Sequence, residues 1–498
     1  MGVEKLKTDL TPPPDPWDAF TRLADLPYVL FLDSAAQEPR RGRYSYIAAS
    51  PFEVISVSAV EVQVSRPVTT DIFEHRFETV FSQRPSVDVD PFRLVTDRLR
   101  PWAATEEADL PPFQGGAAGL FGYGLSRWTE RLPPPARDEF QTPDLLLGLY
   151  DWVLAFDHDT GTCHCVSQGF PEENEQGRSQ RAAQRTEQVL DLLSQKTVRT
   201  KPRNPALRIP KRQKIAPVWP VDGPNAPDGL VSNFSREAYV RAVERAIEYI
   251  HAGDIFQVNL SQRLAFPQES SAITLYERLR RRNPAPFAGY FDAGKAVIAS
   301  SSPEQFLSLS GGEVVTRPIK GTRPRGYTPE ADSYGREALR ESEKDQAENV
   351  MIVDLLRNDL SRVSKPHTVK VPRLFEMERH PTVHHLVSEV RGELRDGLGA
   401  MDLLRATFPG GSITGAPKVR AMEIVAELEP TARGPYCGSM GWIAFHGGMN
   451  LNILIRTVTI TGGWLQFPVG GGIVAMSNPE VEYQETLHKA EGILRALV

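Results

Sequence analysis

The decapeptide RPIKGTRPRG, residues 317–326, sets Lys320 between an isoleucine and a glycine and surrounds it with Arg317, Arg323 and Arg325. A surface turn needs no such density of cations, so the segment is either a solvated basic loop or a pocket for an anion. Three nearby guanidiniums would also disfavour a further positive charge, lowering the lysine from about 10.4 and leaving a neutral amine able to attack carbon. A second chemical feature is Glu348, which shares a helical face with Met351, Ile352, Leu355 and Leu356 in AENVMIVDLLRND. A carboxylate on an apolar stripe needs a basic partner or a metal ion. A third is NPEVEYQETLHKA, where Glu482, Glu485 and Lys489 fall on one helical stripe that, taken alone, reads as an exposed charged face. Carboxylates without cysteine ligands suit a hard ion such as Mg²⁺, held by few protein groups and completed by an anionic substrate.

Two other segments invite comparison with known chemistry and depart from it. RHPTVHHLVSEV holds His380, His384 and His385 but lacks the glutamate of an H-E-x-x-H zinc helix, so one histidine as a hydrogen-bonding or catalytic group and the others as structural fits better. In FPGGSITGAPKVRAMEIV the spacing of Lys418 from Gly415 and the missing Ser or Thr after it fail the phosphate-loop pattern. That loop is either an anion site made of backbone N–H groups at a helix start or a tight packing turn.

The elements that must position these groups come from a chain of 498 residues with a formal net charge of -6, 40% hydrophobic and 24% charged. Those values are ordinary for a soluble globular protein and give no global attraction to nucleic acid or anionic lipid. The N-terminus lacks the apolar core of a signal peptide and no run is long enough to span a membrane, so a cytoplasmic chain with no membrane and no nucleic-acid partner is expected. Residues 1–195 read mostly as strands (PYVLFLDSA, RYSYIAASP, LLLGLYDWVLAFDHD), residues 196–233 as a Pro-rich basic linker or surface crossing, and residues 234–498 as helices alternating with strands. Short Gly-containing turns between the strands predict hairpins, hence an α/β (α+β) fold with antiparallel sheets and not a doubly wound parallel one. The three cysteines, Cys163, Cys165 and Cys437, are too few for a disulfide scaffold, and none sits in the G-x-C-x-G elbow of a glutaminase nucleophile.

Taken together, GDIFQVNLSQR, SSPEQFLS, RPIKGTRPRG, DLLRNDLSRV, HPTVHHLVSEVRGEL, GSMGWI, ILIRT and GGGIVAMSNPEVEYQETLHKA resemble, in order, the chorismate-utilising enzymes of the anthranilate synthase and aminodeoxychorismate synthase component I family. The resemblance covers residues 234–498 closely and residues 1–195 more loosely, and offers the latter as the seat of a regulatory pocket. It implies two antiparallel sheets sandwiched between helices, with the active site in a cleft. Residue by residue it implies Glu348 and Glu485 as Mg²⁺ ligands with Glu482 nearby, and Arg456 as a substrate carboxylate clamp aided by Lys489 and the amides of Gly470, Gly471 and Gly472. Glu304 falls at the general-acid position, and His385 and Thr322 fall among the catalytic groups. Gln257 stands where relatives that use water as nucleophile carry a lysine base, and glutamine cannot deprotonate water. Lys320 itself stands where anthranilate synthases have alanine and aminodeoxychorismate synthases have lysine. The resemblance therefore implies a covalent lysine, 4-amino-4-deoxychorismate as product, and a separate glutamine amidotransferase subunit as the source of ammonia.

Overall fold

Every strand pair in the described part of the computed structural model runs antiparallel. Those described residues are 5–36, 42–85, 89–195, 209–221, 226–326, 328–379 and 383–497, without the side chain of Pro324. They form one sheet of 13 strands and one of 12. Leu30, Tyr46, Phe291 and Ile298 of the larger sheet meet Ala118, Leu120, Met440 and Trp442 of the smaller one in a buried layer between the sheets. The outer face of the larger sheet is covered by helices that include Pro16–Leu23, Glu175–Ser194 and Ala272–Arg282, and that of the smaller by Pro91–Leu99 and Ala400–Thr407. Helix, sheet, sheet and helix therefore stack as the alternating apolar patterns require.

Strands from 1–195 and from 234–498 are neighbours in both sheets. Leu30–Asp33 pairs with Phe287–Asp292 in one, and Gly116–Phe121 pairs with Ser439–Ala444 in the other. Of residues 196–233, positions 196–208 and 222–225 lie outside the described residues; the rest crosses the surface, adding two short strands beyond the larger sheet's edge.

Six elements carry the chemistry. They are β1 (Gln257–Pro267), β2 (Ile319–Pro324), α1 (Glu343–Ser361), β3 (Val383–Glu393), β4 (Trp464–Ile473) and α2 (Pro479–Leu497). The Ser342 hydroxyl caps α1 by accepting from the Asp345 N–H, acids occupy its first turn, and Ile352, Val353, Leu356 and Leu360 bury its inner stripe. Each such aliphatic contributes about 1.5–3 kcal/mol, enough to fix which way Glu348 points. β1 and β4 pair over ten residues from Val258↔Ile473 to Pro267↔Trp464, which sets Gln257 beside the glycines of β4. No helix among the described residues is long and apolar enough to cross a membrane.

The interleaving gives a stability test. At Gly116 φ is +150° and an added Cβ would lie 2.1 Å from the Ile443 carbonyl oxygen, whereas at Gly161, with φ +65°, nothing stands within 4 Å. Gly161→Ala should cost about 1–2 kcal/mol from backbone conformation alone. Gly116→Ala adds a clash at the junction of the two halves and should cost about 3 kcal/mol or more, read as a lower urea midpoint. Equal losses would contradict the packing described.

Candidate active site

Lys320 sits on a β-bulge. β2 pairs with β3 through Ile319↔Val387 and Thr322↔His385, so three steps on β2 oppose two on β3. The extra residue turns Lys320 off the sheet toward α1, and Gly321 at φ +83° makes the approach feasible, since a Cβ there would lie 2.7 Å from Leu339 Cδ1. The Lys320 ammonium then donates to Glu348 Oε1 at 2.8 Å and to the Ser412 carbonyl at 3.1 Å. Gln257 Nε2 donates to the same Glu348 oxygen at 2.7 Å, while Gln257 Oε1 is buried without a hydrogen-bond partner among the described residues. Burial pushes the Glu348 carboxyl up, but the Lys320 charge and these hydrogen bonds outweigh it and hold the group below its ordinary range.

The three arginines of the motif do not act on Lys320 as the sequence suggests. Arg317 pairs with Glu378 at 2.7 Å and Glu389 at 3.5 Å, Arg323 with Asp345 at 2.9 Å, and Arg325 with Asp332 at 2.5 Å. Each charge is neutralised where it stands, so the argument from a net positive field fails, and the charge nearest the amine is the carboxylate of Glu348.

Ser412 joins the amine to the candidate acid. Its carbonyl accepts from Lys320 and its hydroxyl donates to Glu304 Oε1 at 2.6 Å. Glu304 is buried, and its charge acts on Arg456, whose guanidinium burial otherwise holds below its usual range. Arg456 makes no side-chain hydrogen bond or ion pair among the described residues, which leaves a half-buried cation beside an acid, suited to an anionic ligand. His385 is buried and its Nδ1 lies 2.8 Å from Thr322 Oγ1 across the β2–β3 pair. His384 turns the other way to Asp332, and His380 lies outside the described residues.

The carboxylates of α2 meet β4 at its glycines. A Cβ on Gly471 would lie 3.2 Å from Glu482 Oε2, 3.4 Å from Lys489 Nζ and 3.7 Å from Glu485 Oε1, and one on Gly472 would lie 2.9 Å from Glu348 Oε1. Any side chain there would fill the space between the acids. Lys489 pairs with Glu485 at 2.7 Å and donates to the Gly470 carbonyl at 2.9 Å. That carbonyl bond occupies Gly470 by its oxygen, not by the amide that the resemblance offers to substrate. Burial raises the Glu485 carboxyl, Lys489 more than reverses this, and Glu348 opposes with its like charge. Glu482 accepts from Ser477 at 2.7 Å and is raised, chiefly by burial. No group of three or more His, Cys, Asp or Glu side chains among the described residues is close enough to hold a metal ion. Glu348, Glu482 and Glu485 are thus not a preassembled cage, because each is held by its own lysine or serine. Two carboxylates on separate helices, with glycine between them, remain a donor set that fits a hard ion retaining water and substrate oxygens.

Ser412 is the member of this site that sequence reasoning passes over. Its signal was present in FPGGSITGAPK, but the motif reads as a failed phosphate loop, and only the fold brings Gly411–Ile413 against β2. The same loop's Lys418 is tied to Asp359 at 2.5 Å and the Thr407 carbonyl at 2.8 Å, away from Lys320.

A family model described as chorismate binding enzyme matches residues 40–495, and the chain belongs to that family of chorismate-utilising enzymes. It is 41% identical over 483 residues to aminodeoxychorismate synthase component 1 of Salmonella typhimurium, covering 96% of this chain and 95% of the relative. It is 39% identical over 492 residues to anthranilate synthase component 1 of Thermus thermophilus, covering 99% and 97%. Among solved structures, anthranilate synthase component I from Streptococcus pneumoniae superposes with a TM-score of 0.73 at 28% identity, covering 92% of this chain and 93% of that one. Identity this even does not separate the two products, so the distinction falls to individual residues.

The Lys320–Glu348 pair has a pH signature. Glu348 is lowered in the folded chain, so the pair contributes stability above the unfolded carboxylate value and loses it as pH falls through the folded one. The side chains are 12% and 18% exposed, so Lys320→Ala should cost about 2–4 kcal/mol at pH 7, a little under full burial. The gap between variant and parent should narrow as pH falls below about 4, measured by urea unfolding. A gap that widens on acidification would contradict the pairing.

Proposed function

We propose that the chain aminates chorismate to 4-amino-4-deoxychorismate through a covalent bond to Lys320. The observation that carries this reading is the bulge that aims the Lys320 amine at the residue holding Glu304, with both groups bonded to Ser412. An alanine at position 320 would leave the same pocket without a nucleophile.

The chemistry follows from the groups present. Arg456 binds a substrate carboxylate, and Lys489 with the β4 glycines closes over it. The Lys320 ammonium passes a proton to Glu304 and the freed amine adds at C2 of the ring; the C1–C2 and C5–C6 π pairs shift, the C4–O bond breaks, and Glu304 returns that proton to the departing oxygen so that water leaves. Ammonia then bonds to C4, the π pairs return, the C2–N bond breaks with its pair on Nζ, and the new C4 ammonium gives its proton to Glu304. The balance is chorismate plus ammonia to 4-amino-4-deoxychorismate plus water. Glu348 and Glu485 are the residues that would hold Mg²⁺, which when bound offsets substrate carboxylate charge. His385 with Thr322 bounds the ring on the β2–β3 side.

Chorismate without ammonium should leave an adduct of chorismate less water on the intact chain, mapped to Lys320 by digestion and mass spectrometry. Lys320→Ala should show none, and Glu304→Gln should slow adduct formation by about 10²–10⁴-fold. An adduct at Lys418, or none in the parent chain with product still forming, would refute the lysine mechanism. Release of anthranilate and pyruvate would instead favour the activity named for the Thermus relative.

The nitrogen source is proposed to be a separate glutamine amidotransferase subunit. All three cysteines are buried, and burial pushes the Cys165 and Cys437 thiols up to about 12, far from a thiolate nucleophile. The purified chain should turn over with ammonium salts at alkaline pH and stay inert with glutamine. Glutamine-dependent product from the homogeneous chain would overturn this.

A further inference from the structure

Each carboxylate that would hold Mg²⁺ is engaged by an ammonium group of the chain itself. Lys320 Nζ lies 2.8 Å from Glu348 Oε1, and Lys489 Nζ lies 2.7 Å from Glu485 Oε1. Lys489 is not confined to one acid. Measured from the point that a Cβ on Gly471 would take, its Nζ is at 3.4 Å, Glu482 Oε2 at 3.2 Å and Glu485 Oε1 at 3.7 Å, so the ammonium stands among the acids of α2. Its charge also acts on Glu348, and the charge of Lys344, in the first turn of α1, acts on both Glu482 and Glu485. Three carboxylates are thus set against three ammonium groups, and their formal charges cancel.

A dication approaching these acids meets a neutral cluster and not a negative one. It gains the carboxylates only as the lysines yield them, because an ammonium hydrogen-bonded to a ligand oxygen occupies a lone pair and repels the ion. The two contacts differ in strength. Lys320 and Glu348 are 12% and 18% exposed, so little water screens them, whereas Lys489 and Glu485 are 45% and 44% exposed and are screened much more. Each lysine has a second acceptor to fall back on, the Ser412 carbonyl at 3.1 Å for Lys320 and the Gly470 carbonyl at 2.9 Å for Lys489. Gln257 Oε1, buried without a partner among the described residues, offers one more acceptor beside Glu348 to water that a hard ion retains.

We propose that Lys320 and Lys489 are placeholders for the ion, so that loading the site is an exchange of ammonium groups for Mg²⁺ and not entry into an open cage. The proposal rests on the reading of Glu348 and Glu485 as the residues that would hold Mg²⁺. It couples that site to the reacting groups. The contact that ties Lys320 to Glu348 is the one the exchange breaks, and Lys320 is then left on Ser412, whose hydroxyl holds Glu304. Lys489, released from Glu485, becomes available to a substrate carboxylate. A lysine that only positioned these acids would aid the ion; a placeholder competes with it, so its removal must tighten the ion's binding.

Calorimetric titration of MgCl₂ into the chelator-treated chain, at constant ionic strength and without substrate, tests this apart from turnover. Lys320→Ala should bind Mg²⁺ about tenfold more tightly than the parent chain, the effect of one poorly hydrated charged hydrogen bond, and Lys489→Ala about threefold more tightly. Lys489→Arg, which keeps the charge, should match the parent. Lys489 is half exposed, so its replacement spares the fold and decides the matter if Lys320→Ala does not fold. A folded lysine-to-alanine variant that binds Mg²⁺ no more tightly than the parent would overturn the exchange, while a loss of at least about tenfold in Glu348→Gln and Glu485→Gln would still uphold those residues as the ion's holders. Unchanged affinity in both glutamine variants would overturn the exchange and that reading together.

Discussion

The ion pair between Lys320 and Glu348 is the constraint around which the rest of the site is arranged. Two opposite charges, largely withdrawn from water, are tolerated only if each meets the other with good geometry. The bulge in β2, the glycine after the lysine, the capped and apolar-striped α1 and the amide of Gln257 all serve that meeting. A glycine pair in β4 keeps the neighbouring space clear of side chains and brings the acids of α2 to the same place.

Charge placement there also explains why the site is compact without being self-cancelling. The motif arginines, which could have flooded the pocket with positive field, are each held by a carboxylate outside the reacting centre. Arg456 is the exception, with no such partner among the described residues, and lies within reach of the Glu304 charge. An anion entering the cleft thus meets one committed cation and an acid poised through Ser412, while Lys320 and Lys489 are available from the flanks.

Much of this was legible in the chain. Short Gly-containing turns between apolar runs foretold antiparallel sheets, and the 3.6-residue stripe of AENVMIVDLLRND placed Glu348 on a largely buried face needing a partner. Its partner was not legible, because a register shift of one residue in β2 decides where Lys320 points and no pattern of residue types encodes that shift. Reading Arg317, Arg323 and Arg325 as a field on the lysine failed for the same kind of reason: their acids, Glu378, Glu389, Asp345 and Asp332, come from four other elements. Ser412 was hidden inside a motif that resembled a different chemistry. The pairing of strands from the first and second halves of the chain is a non-local choice that only the two interlocked sheets reveal.

The central claim is that an amine at position 320 directs nitrogen to C4. Supplying the chain with chorismate and ¹⁵N-ammonium and locating the label in the product by NMR and mass spectrometry tests it most directly. The account predicts ¹⁵N on C4 with the enolpyruvyl group retained. Label on C2 of an aromatic product, with pyruvate released, would contradict it.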